Sequence, residues 1–515
     1  MNMTKIHFNF KMKVRNLKPV MIIMLLSYEG ICAQSLCTDI DKHPLTERRA
    51  TSVGNIKING NCINYTVTSE DIPIKNDDNQ IIGAIYSFSY IKKEGDKNRP
   101  VTFLFNGGPG SSSLWLHMGL GPKKVVMNSD VNPKNIPPFE YQENPDSILD
   151  CTDLVFVDPV GTGYSRILGA GKPTDFYGVE QDAESLAQFI ERWLIKHNRW
   201  NAPKYLIGES YGSARITLLA KTLTGGPLYS GKLRGITING MVMLGTDIGY
   251  IKSVQNVETQ VERFVGELPS LAATAWYHQK AGKNLTLNSF YTEAKEFADT
   301  EYKEILKVVL NKRSISPKKK AYIISKLTYF TGLDKLFFKD EFYITKERFT
   351  SSIIPDIQVG LYDSRYTLSS IQHHVKDPVA NDPAMSQYTP VFIGSFNQYL
   401  KNDLLIHIED PYQVITWKNL SFNWDYKRNN ISEKYRFADD LSDAMSVNKY
   451  MKILIASGYY DLVTPGSSAF NVIHSSSVDQ KRIKFKSYES GHMLYIGKTG
   501  KEFSNDIRDL IVEVK

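Results

Sequence analysis

Runs of consecutive apolar residues alternate with amphipathic segments along the first half of the chain. Such runs are typical of strands that are buried on both faces of a parallel sheet. Between two of them, residues 180–196 place apolar side chains on one face at a spacing of three and four, which predicts a helix. The predicted strands of this region span residues 81–91, 101–105, 153–158, 204–207 and 233–239. We therefore expect an α/β fold with a mostly parallel central sheet and helices on both faces.

A second region of the same kind lies near the C-terminus. Strands are predicted at residues 452–458 and 483–488, and a closing helix at residues 503–514. The stretch between the two regions is charged and rich in aromatic residues, and its pattern is helical. We interpret it as a cap over the site, because the candidate catalytic residues lie on both sides of it in the chain. The alternative is an independent helical domain.

These patterns predict four segments. Residues 1–33 form a signal peptide, residues 34–245 the first part of the α/β core, residues 246–440 the cap insertion, and residues 441–515 the second part of the core. No internal repeat or low-complexity tract interrupts this order.

The N-terminal segment has the three-part pattern of a secretory signal peptide. Five basic residues precede the short apolar run 20–26, and Ile31-Cys32-Ala33 suits cleavage before Gln34. The apolar run is far shorter than the ~20 residues that span a bilayer. We expect an exported protein, periplasmic or secreted, with no membrane span in the mature chain. An uncleaved anchor or a disordered extension is the alternative.

Charge and cysteine content narrow the function classes. The formal net charge is +7, and it falls to +3 without residues 1–33, which hold five basic residues and one acidic residue. A nearly neutral chain gives no electrostatic reason to expect nucleic-acid binding. Cys37, Cys62 and Cys151 remain after cleavage, and Cys37 with Cys62 is one possible bridge. No cysteine or histidine cluster suggests a metal, and we expect neither metal nor cofactor.

The chemistry centres on Gly208-Glu209-Ser210-Tyr211-Gly212, a G-x-S-x-G pattern. A strand-like run precedes it and the helix-like run 213–220 follows it. This context predicts a nucleophile elbow, a sharp strand-to-helix turn that exposes the serine Oγ. The alternative is a tight turn whose serine merely suits the bend.

A serine hydroxyl needs a general base, and the base needs a carboxylate that orients it. Asp461 follows the predicted strand 452–458, where catalytic groups collect in open α/β sheets. His492 follows the next strand, and Gly491 before it gives the loop freedom. The order Ser210, Asp461, His492 is that of α/β-hydrolases. The weaker candidates are Asp443, Asp479, His407 and His474.

A second glycine-rich element follows the predicted strand 101–105. It reads Asn106-Gly107-Gly108-Pro109-Gly110, and such a loop can present a backbone N–H to a developing oxyanion. The N–H of Tyr211, directly after the nucleophile, would be the other donor. A structural turn is the alternative. A nucleotide-binding loop is disfavoured because the Gly-Lys-Ser/Thr ending is missing.

Together these motifs resemble the serine carboxypeptidase family of α/β-hydrolases, and we expect a bacterial-type member. The matching stretches are residues 105–113, 153–166, 208–212, 239–240, 457–461 and 491–493. The resemblance implies a catalytic triad of Ser210, Asp461 and His492. It also implies oxyanion-hole N–H groups from Gly108 and Tyr211. Asn106 and Glu209 would bind the free C-terminal carboxylate of a peptide substrate, for which Glu209 needs a raised pKa or a hydrogen-bonding neighbour.

The chain departs from the family pattern at two positions. Gly119 stands where the family has a second glutamate that takes part in carboxylate recognition, and Tyr459 stands where it has an aspartate. The expected function is a serine-type carboxypeptidase that forms an acyl-enzyme on Ser210. Loss of the second glutamate motivates one alternative, a secreted esterase or acyltransferase on the same scaffold. A non-catalytic binding protein with a relict site is the other alternative.

Overall fold

The computed structural model describes residues 48–227, 230–249, 256–370, 377–429, 431–432 and 434–513. The predicted signal peptide and Cys37 therefore lie outside the described residues.

The described chain contains sixteen strands. Their bounds are β1 Arg49–Ile58, β2 Asn61–Lys75, β3 Ile81–Lys92, β4 Val101–Phe105, β5 Lys123–Val125, β6 Tyr141–Glu143, β7 Asp153–Val157, β8 Arg166–Ile167, β9 Lys204–Glu209, β10 Gly225–Gly226, β11 Lys232–Leu233, β12 Gly240–Leu244, β13 Ile357–Val359, β14 Thr367–Ser369, β15 Lys452–Gly458 and β16 Ile483–Tyr488.

Twelve α-helices accompany these strands in the described residues. Their bounds are α1 Leu114–Leu120, α2 Val179–Lys196, α3 Tyr211–Thr224, α4 Val257–Tyr277, α5 Leu287–Phe297, α6 Lys303–Leu310, α7 Pro317–Thr331, α8 Lys346–Thr350, α9 Met385–Asn402, α10 Phe437–Val447, α11 Gly466–His474 and α12 Thr499–Glu513.

Nine strands form the main sheet in the order β1-β2-β3-β7-β4-β9-β12-β15-β16, and β8 adds to β3. The six strands from β7 to β16 pair in parallel, whereas β1, β2, β3 and β8 are antiparallel. The sheet is therefore mostly parallel over the half that carries the candidate site. This architecture confirms the predicted α/β-hydrolase fold.

Alternate residues of the central strands belong to two separate hydrophobic cores, one on each face of the sheet. In β12, Met241 and Met243 belong to one hydrophobic cluster, and Val242 and Leu244 belong to the other. All five residues of β12 are buried. Side chains alternate across a sheet, so a strand covered on both faces reads as a continuous apolar run. The same pattern made β4, β7, β9 and β15 visible in the sequence, although β12 itself was not predicted.

The predicted strand at residues 233–239 is wrong, and the sheet strand begins after it, at Gly240. The amides of Gly235 and Ile236 donate to the carbonyls of Thr224 and Leu223 at the end of α3, at 3.1 and 3.0 Å. These backbone groups are therefore used by a helix C-terminus rather than by a ladder. The alternating apolar positions in this stretch anchor a connecting segment to the core.

The segment between β12 and β15 is mainly helical, with one short hairpin formed by β13 and β14. Helices α4 to α8 surround a third hydrophobic cluster of their own. Helices α9 and α10 instead pack against α1 and α3 of the core. In the part of the chain that the structure describes, no helix is both long and apolar enough to cross a bilayer.

Candidate active site

Ser210 occupies a sharp turn between β9 and α3. Its φ is +58° and its ψ is −128°, and its amide donates to the carbonyl of Leu244 at 2.9 Å. A non-glycine residue at positive φ costs on the order of 1–3 kcal/mol and persists only where the surroundings impose it. Here β9 and the end of β12 hold the turn from both sides. The half-buried serine is therefore presented at the carboxyl edge of the sheet.

Asp461 lies in the loop that leaves β15, and its side chain is fully buried. Its Oδ1 accepts from the amides of Val463 and Thr464 at 2.8 and 2.9 Å. Its Oδ2 accepts from the Thr464 hydroxyl at 2.7 Å and lies 2.8 Å from Nδ1 of His492. Both carboxylate oxygens are thus held, and one faces the imidazole.

His492 is buried between the acid loop and the end of β12. Its amide donates to the carbonyl of Tyr362 at 2.7 Å, and the Tyr362 ring meets the imidazole edge-on. Gly245, directly after the residue that binds the Ser210 amide, lies against the ring, since a β-carbon there would sit 2.5 Å from Cε1. The imidazole is therefore beside the elbow. Among the described residues, Ser210 Oγ makes no hydrogen bond to His492.

The two groups shift each other's protonation. Burial alone would lower the pKa of His492, but the charge and hydrogen bond of Asp461 outweigh it and raise this pKa above its usual value. Burial would raise the pKa of Asp461, and the opposite charge of His492 and its hydrogen bond reverse this and lower it. The pair is therefore suited to holding an imidazolium beside a carboxylate.

The glycine-rich loop after β4 lies directly on the elbow. A β-carbon at Gly107 would sit 2.6 Å from the Tyr211 nitrogen and 2.9 Å from the Ser210 Cβ, so only glycine fits there. Buried Arg215 of α3 fixes the loop by donating to the carbonyl of Asn106 and, through Nε, to Asp182 at 2.6 Å. The backbone of this loop and the start of α3 thus face one site beside Ser210.

Asn106, Glu209 and Tyr495 form a buried polar cluster next to the serine. The Asn106 amide donates to Oε2 of Glu209 at 2.8 Å, and the Tyr495 hydroxyl donates to the same oxygen at 2.9 Å. The exposed fractions of Asn106 and Glu209 are 2% and 3%. Burial raises the pKa of Glu209 to about 7, against the lowering effects of the His492 charge and of the two hydrogen bonds. A carboxyl group with this pKa is mostly protonated below neutral pH and loses its proton as the pH rises through about 7.

The position of the expected second glutamate is filled by another side chain. A β-carbon at Gly119 would lie 2.2 Å from Cδ2 of Tyr495, so the tyrosine ring occupies that space. The other departure has a different partner, because the Tyr459 hydroxyl donates to Asn288 of α5 at 3.1 Å. The two departures therefore affect different surfaces.

Three of the four rival acids and bases are engaged elsewhere, and the fourth, His407, is exposed. Asp443 accepts from Lys221 at 2.6 Å. Asp479 accepts from the amide of Lys481 and forms an ion pair with Arg482 at 2.8 Å. The His474 ring stacks on Phe470, with 3.7 Å between the ring centroids.

Three further residues of the site were not predicted from the sequence: Thr464, Arg215 and Tyr495. Thr464 lies three residues after Asp461, a spacing at which a side chain commonly bonds its own loop, so it had a local signal. Arg215 and Tyr495 gave none, because their partners lie far away in the chain. No group of three or more metal-ligating side chains occurs in the described ranges.

A family model described as "Serine carboxypeptidase" matches residues 83–504 of the chain. "Serine carboxypeptidase-like 9" of Arabidopsis thaliana is 29% identical over 178 residues, covering 33% of this chain and 38% of that protein. "Serine-type carboxypeptidase F" of Aspergillus niger is 27% identical over 226 residues, covering 39% of this chain and 42% of that protein. The chain thus aligns with less than half of the length of these relatives.

Proposed function

We infer a serine carboxypeptidase activity from two facts: the chain belongs to the serine carboxypeptidase family, and a buried, protonatable Glu209 lies beside Ser210. A peptidase that removes C-terminal residues must recognise a free carboxylate next to the scissile bond. The Asn106–Glu209 pair offers an amide and a neutral carboxyl group for this purpose. This pair is the observation that carries the proposal.

The proposed reaction is acyl transfer through Ser210. His492 removes the proton from Oγ as the hydroxyl attacks the carbonyl carbon, and Asp461 stabilises the resulting imidazolium. The N–H groups of Gly108 and Tyr211 stabilise the oxyanion. His492 then gives its proton to the leaving amine, so that a free amino acid departs and an acyl-enzyme remains. Water attacks this ester, again with His492 as the base, and regenerates the serine.

A panel of three substrates tests the proposal. One peptide is offered as the free acid, as the C-terminal amide and as a blocked ester, and kcat/KM is measured for each. A carboxypeptidase prefers the free acid and releases one residue at a time. Equal rates for acid and amide, with fast cleavage of the ester, would select the esterase or acyltransferase alternative. Absence of turnover on all three would favour a binding protein.

The pKa of Glu209 limits the binding of free-acid peptides at alkaline pH. Because neutral Glu209 binds the substrate carboxylate, we expect KM for free-acid peptides to rise as the pH passes about 7, approaching tenfold per pH unit. Substrates without a carboxylate should lack this dependence. The measurement is KM against pH for the acid and the ester.

Glu209→Gln provides the matched control for that profile, since an amide does not titrate. The rise in KM should disappear in this variant. A rise that persists in Glu209→Gln would assign the titration to another group.

We propose that the segment 246–440 acts as a cap that also supports the catalytic loops. Lys346 of α8 donates to the carbonyls of Leu462 and Val463 at 2.8 and 3.3 Å, directly after Asp461. A cavity of about 550 Å³ lies between this segment and the core, which is a size typical of ligand sites. Its lining includes Thr246, Glu267, Lys346, Thr464 and Pro465. The cavity therefore adjoins the acid loop, and Ser210 does not line it.

Export to the periplasm or the medium, removal of residues 1–33 and a bacterial-type origin belong to the same proposal. They are supported by the basic, apolar and small-residue order of the N-terminal sequence and by the low cysteine content. N-terminal sequencing of the protein recovered outside the cytoplasm would show Gln34 as the first residue.

A further inference from the structure

We propose that Tyr495 determines specificity for the C-terminal carboxylate by holding Glu209 in place, in the role that the missing glutamate at position 119 would have had. Tyr495 is then a positioning residue: its hydroxyl contacts Oε2 of Glu209 at 2.9 Å, and Glu209 contacts the substrate. The inference rests on the proposed carboxypeptidase function and deepens it.

The packing at the site supports a replacement of the glutamate expected at position 119 by Tyr495. The tyrosine ring lies where any side chain at position 119 would begin, with Cδ2, Cγ and Cε2 at 2.2, 2.5 and 2.7 Å from a β-carbon built there. A side chain at 119 and the ring at 495 are therefore mutually exclusive. Gly119 is therefore required for the observed position of the Tyr495 ring, although 376 positions separate the two residues.

Hydrogen bonding supports a defined position for the Glu209 carboxyl group. The two donors, from Asn106 and Tyr495, both point to Oε2. The Asn106 amide is itself oriented, because its Oδ1 accepts from the amide of Leu116 at 3.1 Å. With Oε2 accepting twice, Oε1 is left to carry the proton and to donate it to a substrate carboxylate.

The charges at the site favour this arrangement too. Tyr495 is buried beside Glu209, which raises the pKa of its phenol well above the usual value, so the phenol stays a donor. The other titratable groups that influence Glu209 are His492 and Asp461, and Tyr362 faces both carboxylates. Two carboxyl groups in contact must share a proton to bind an anion. A carboxyl–phenol pair contains one titrating acid, so binding of the anion depends on the proton of Glu209 alone.

Tyr495→Phe removes the hydroxyl and keeps the ring. We expect the ratio of kcat/KM for the free-acid peptide to that for its amide to fall about tenfold, as expected for loss of one buried hydrogen bond. Because that hydrogen bond lowers the pKa of Glu209, its removal should also move the alkaline rise in KM to higher pH. A merely structural role would not move this profile.

Tyr488→Phe is the matched control. Tyr488 is also buried, and its hydroxyl donates to a carboxylate, Asp506, at 2.8 Å, on the side of the closing helix α12. The acid-to-amide ratio and the KM profile should both stay at the wild-type values in this variant.

A second pair of variants tests the steric argument independently. Gly119→Ala should displace the ring and lower the acid-to-amide ratio, with a lower melting temperature. Adding Tyr495→Ala should restore the melting temperature towards that of Tyr495→Ala alone, because the ring is gone. Additive losses of melting temperature would show that the two positions do not compete for space and would overturn the inference.

The outcomes separate this inference from the function on which it rests. A wild-type protein without preference for the free acid contradicts the proposed function itself. A wild-type preference that survives Tyr495→Phe, with an unchanged KM profile, contradicts only the role of Tyr495.

Discussion

Replacing Ser210 with alanine is expected to lower kcat for peptide hydrolysis roughly 10⁶-fold, the size of loss that follows removal of a triad nucleophile. The alanine variant keeps the Cβ but has no oxygen that can form the acyl-enzyme. KM for the free-acid peptide should change little, since Asn106 and Glu209 remain in place. The measurement is kcat and KM of purified wild-type and variant protein on the same peptide.

Ser185→Ala is a suitable control for this variant. Ser185 is buried in α2, and its hydroxyl donates to the carbonyl of Asp182 at 2.9 Å. It should cost at most about 1 kcal/mol of unfolding free energy and leave kcat intact. If Ser210→Ala retained wild-type activity, the assignment of the nucleophile would be wrong.

Asp461→Asn is expected to lower kcat about 10⁴-fold with the fold preserved. The carboxylate accepts from Nδ1 of His492 at 2.8 Å, and this keeps the proton on Nδ1 and the lone pair on Nε2. An asparagine amide that donates to Nδ1 would select the opposite tautomer, and it removes the charge that stabilises the imidazolium. Because Asp461 raises the pKa of His492, the residual activity should extend to lower pH.

Asp479→Asn tests the specificity of that effect. Asp479 follows α11, and its ion pair with Arg482 is partly exposed. Its loss should leave kcat and the pH profile unchanged. Equal losses from the two substitutions would mean that the assignment of the catalytic acid has to be reconsidered.

The parts of the fold that sequence predicted are those with strong local patterns. Strands β4, β7, β9 and β15 are mainly apolar and almost entirely buried, so they were visible as continuous runs. The edge strand β16 instead alternates apolar and polar residues over its first four positions. The strand placed at residues 233–239 failed because apolar alternation does not show where the backbone hydrogen bonds go. The antiparallel strands β1 and β2 were not predicted at all. Their outer residues alternate with polar ones, and pairing partners are not encoded locally.

In the candidate site too, the residues with a local sequence signal were predicted and the others were not. Ser210, Asp461 and His492 each follow a strand, so chain order and strand ends were enough to select them. The partner of Glu209 could not be selected in this way. Gly119 shows that a side chain is absent, but only the folded structure shows that Tyr495 occupies its place. Contacts between distant residues of this kind depend on tertiary packing rather than on any motif.

Covalent labelling tests the central claim, that Ser210 is an activated nucleophile, most directly. A fluorophosphonate reacts with a serine whose neighbouring base removes its proton. Trypsin would then release residues 205–215 as one peptide, which contains Ser210 and Ser213 and follows Lys204. Fragmentation in the mass spectrometer assigns the adduct to one of the two. We predict a stoichiometric adduct on Ser210 that is absent from Ser210→Ala and slow to form in Asp461→Asn. An unlabelled Ser210, or an adduct on another residue, would contradict the account.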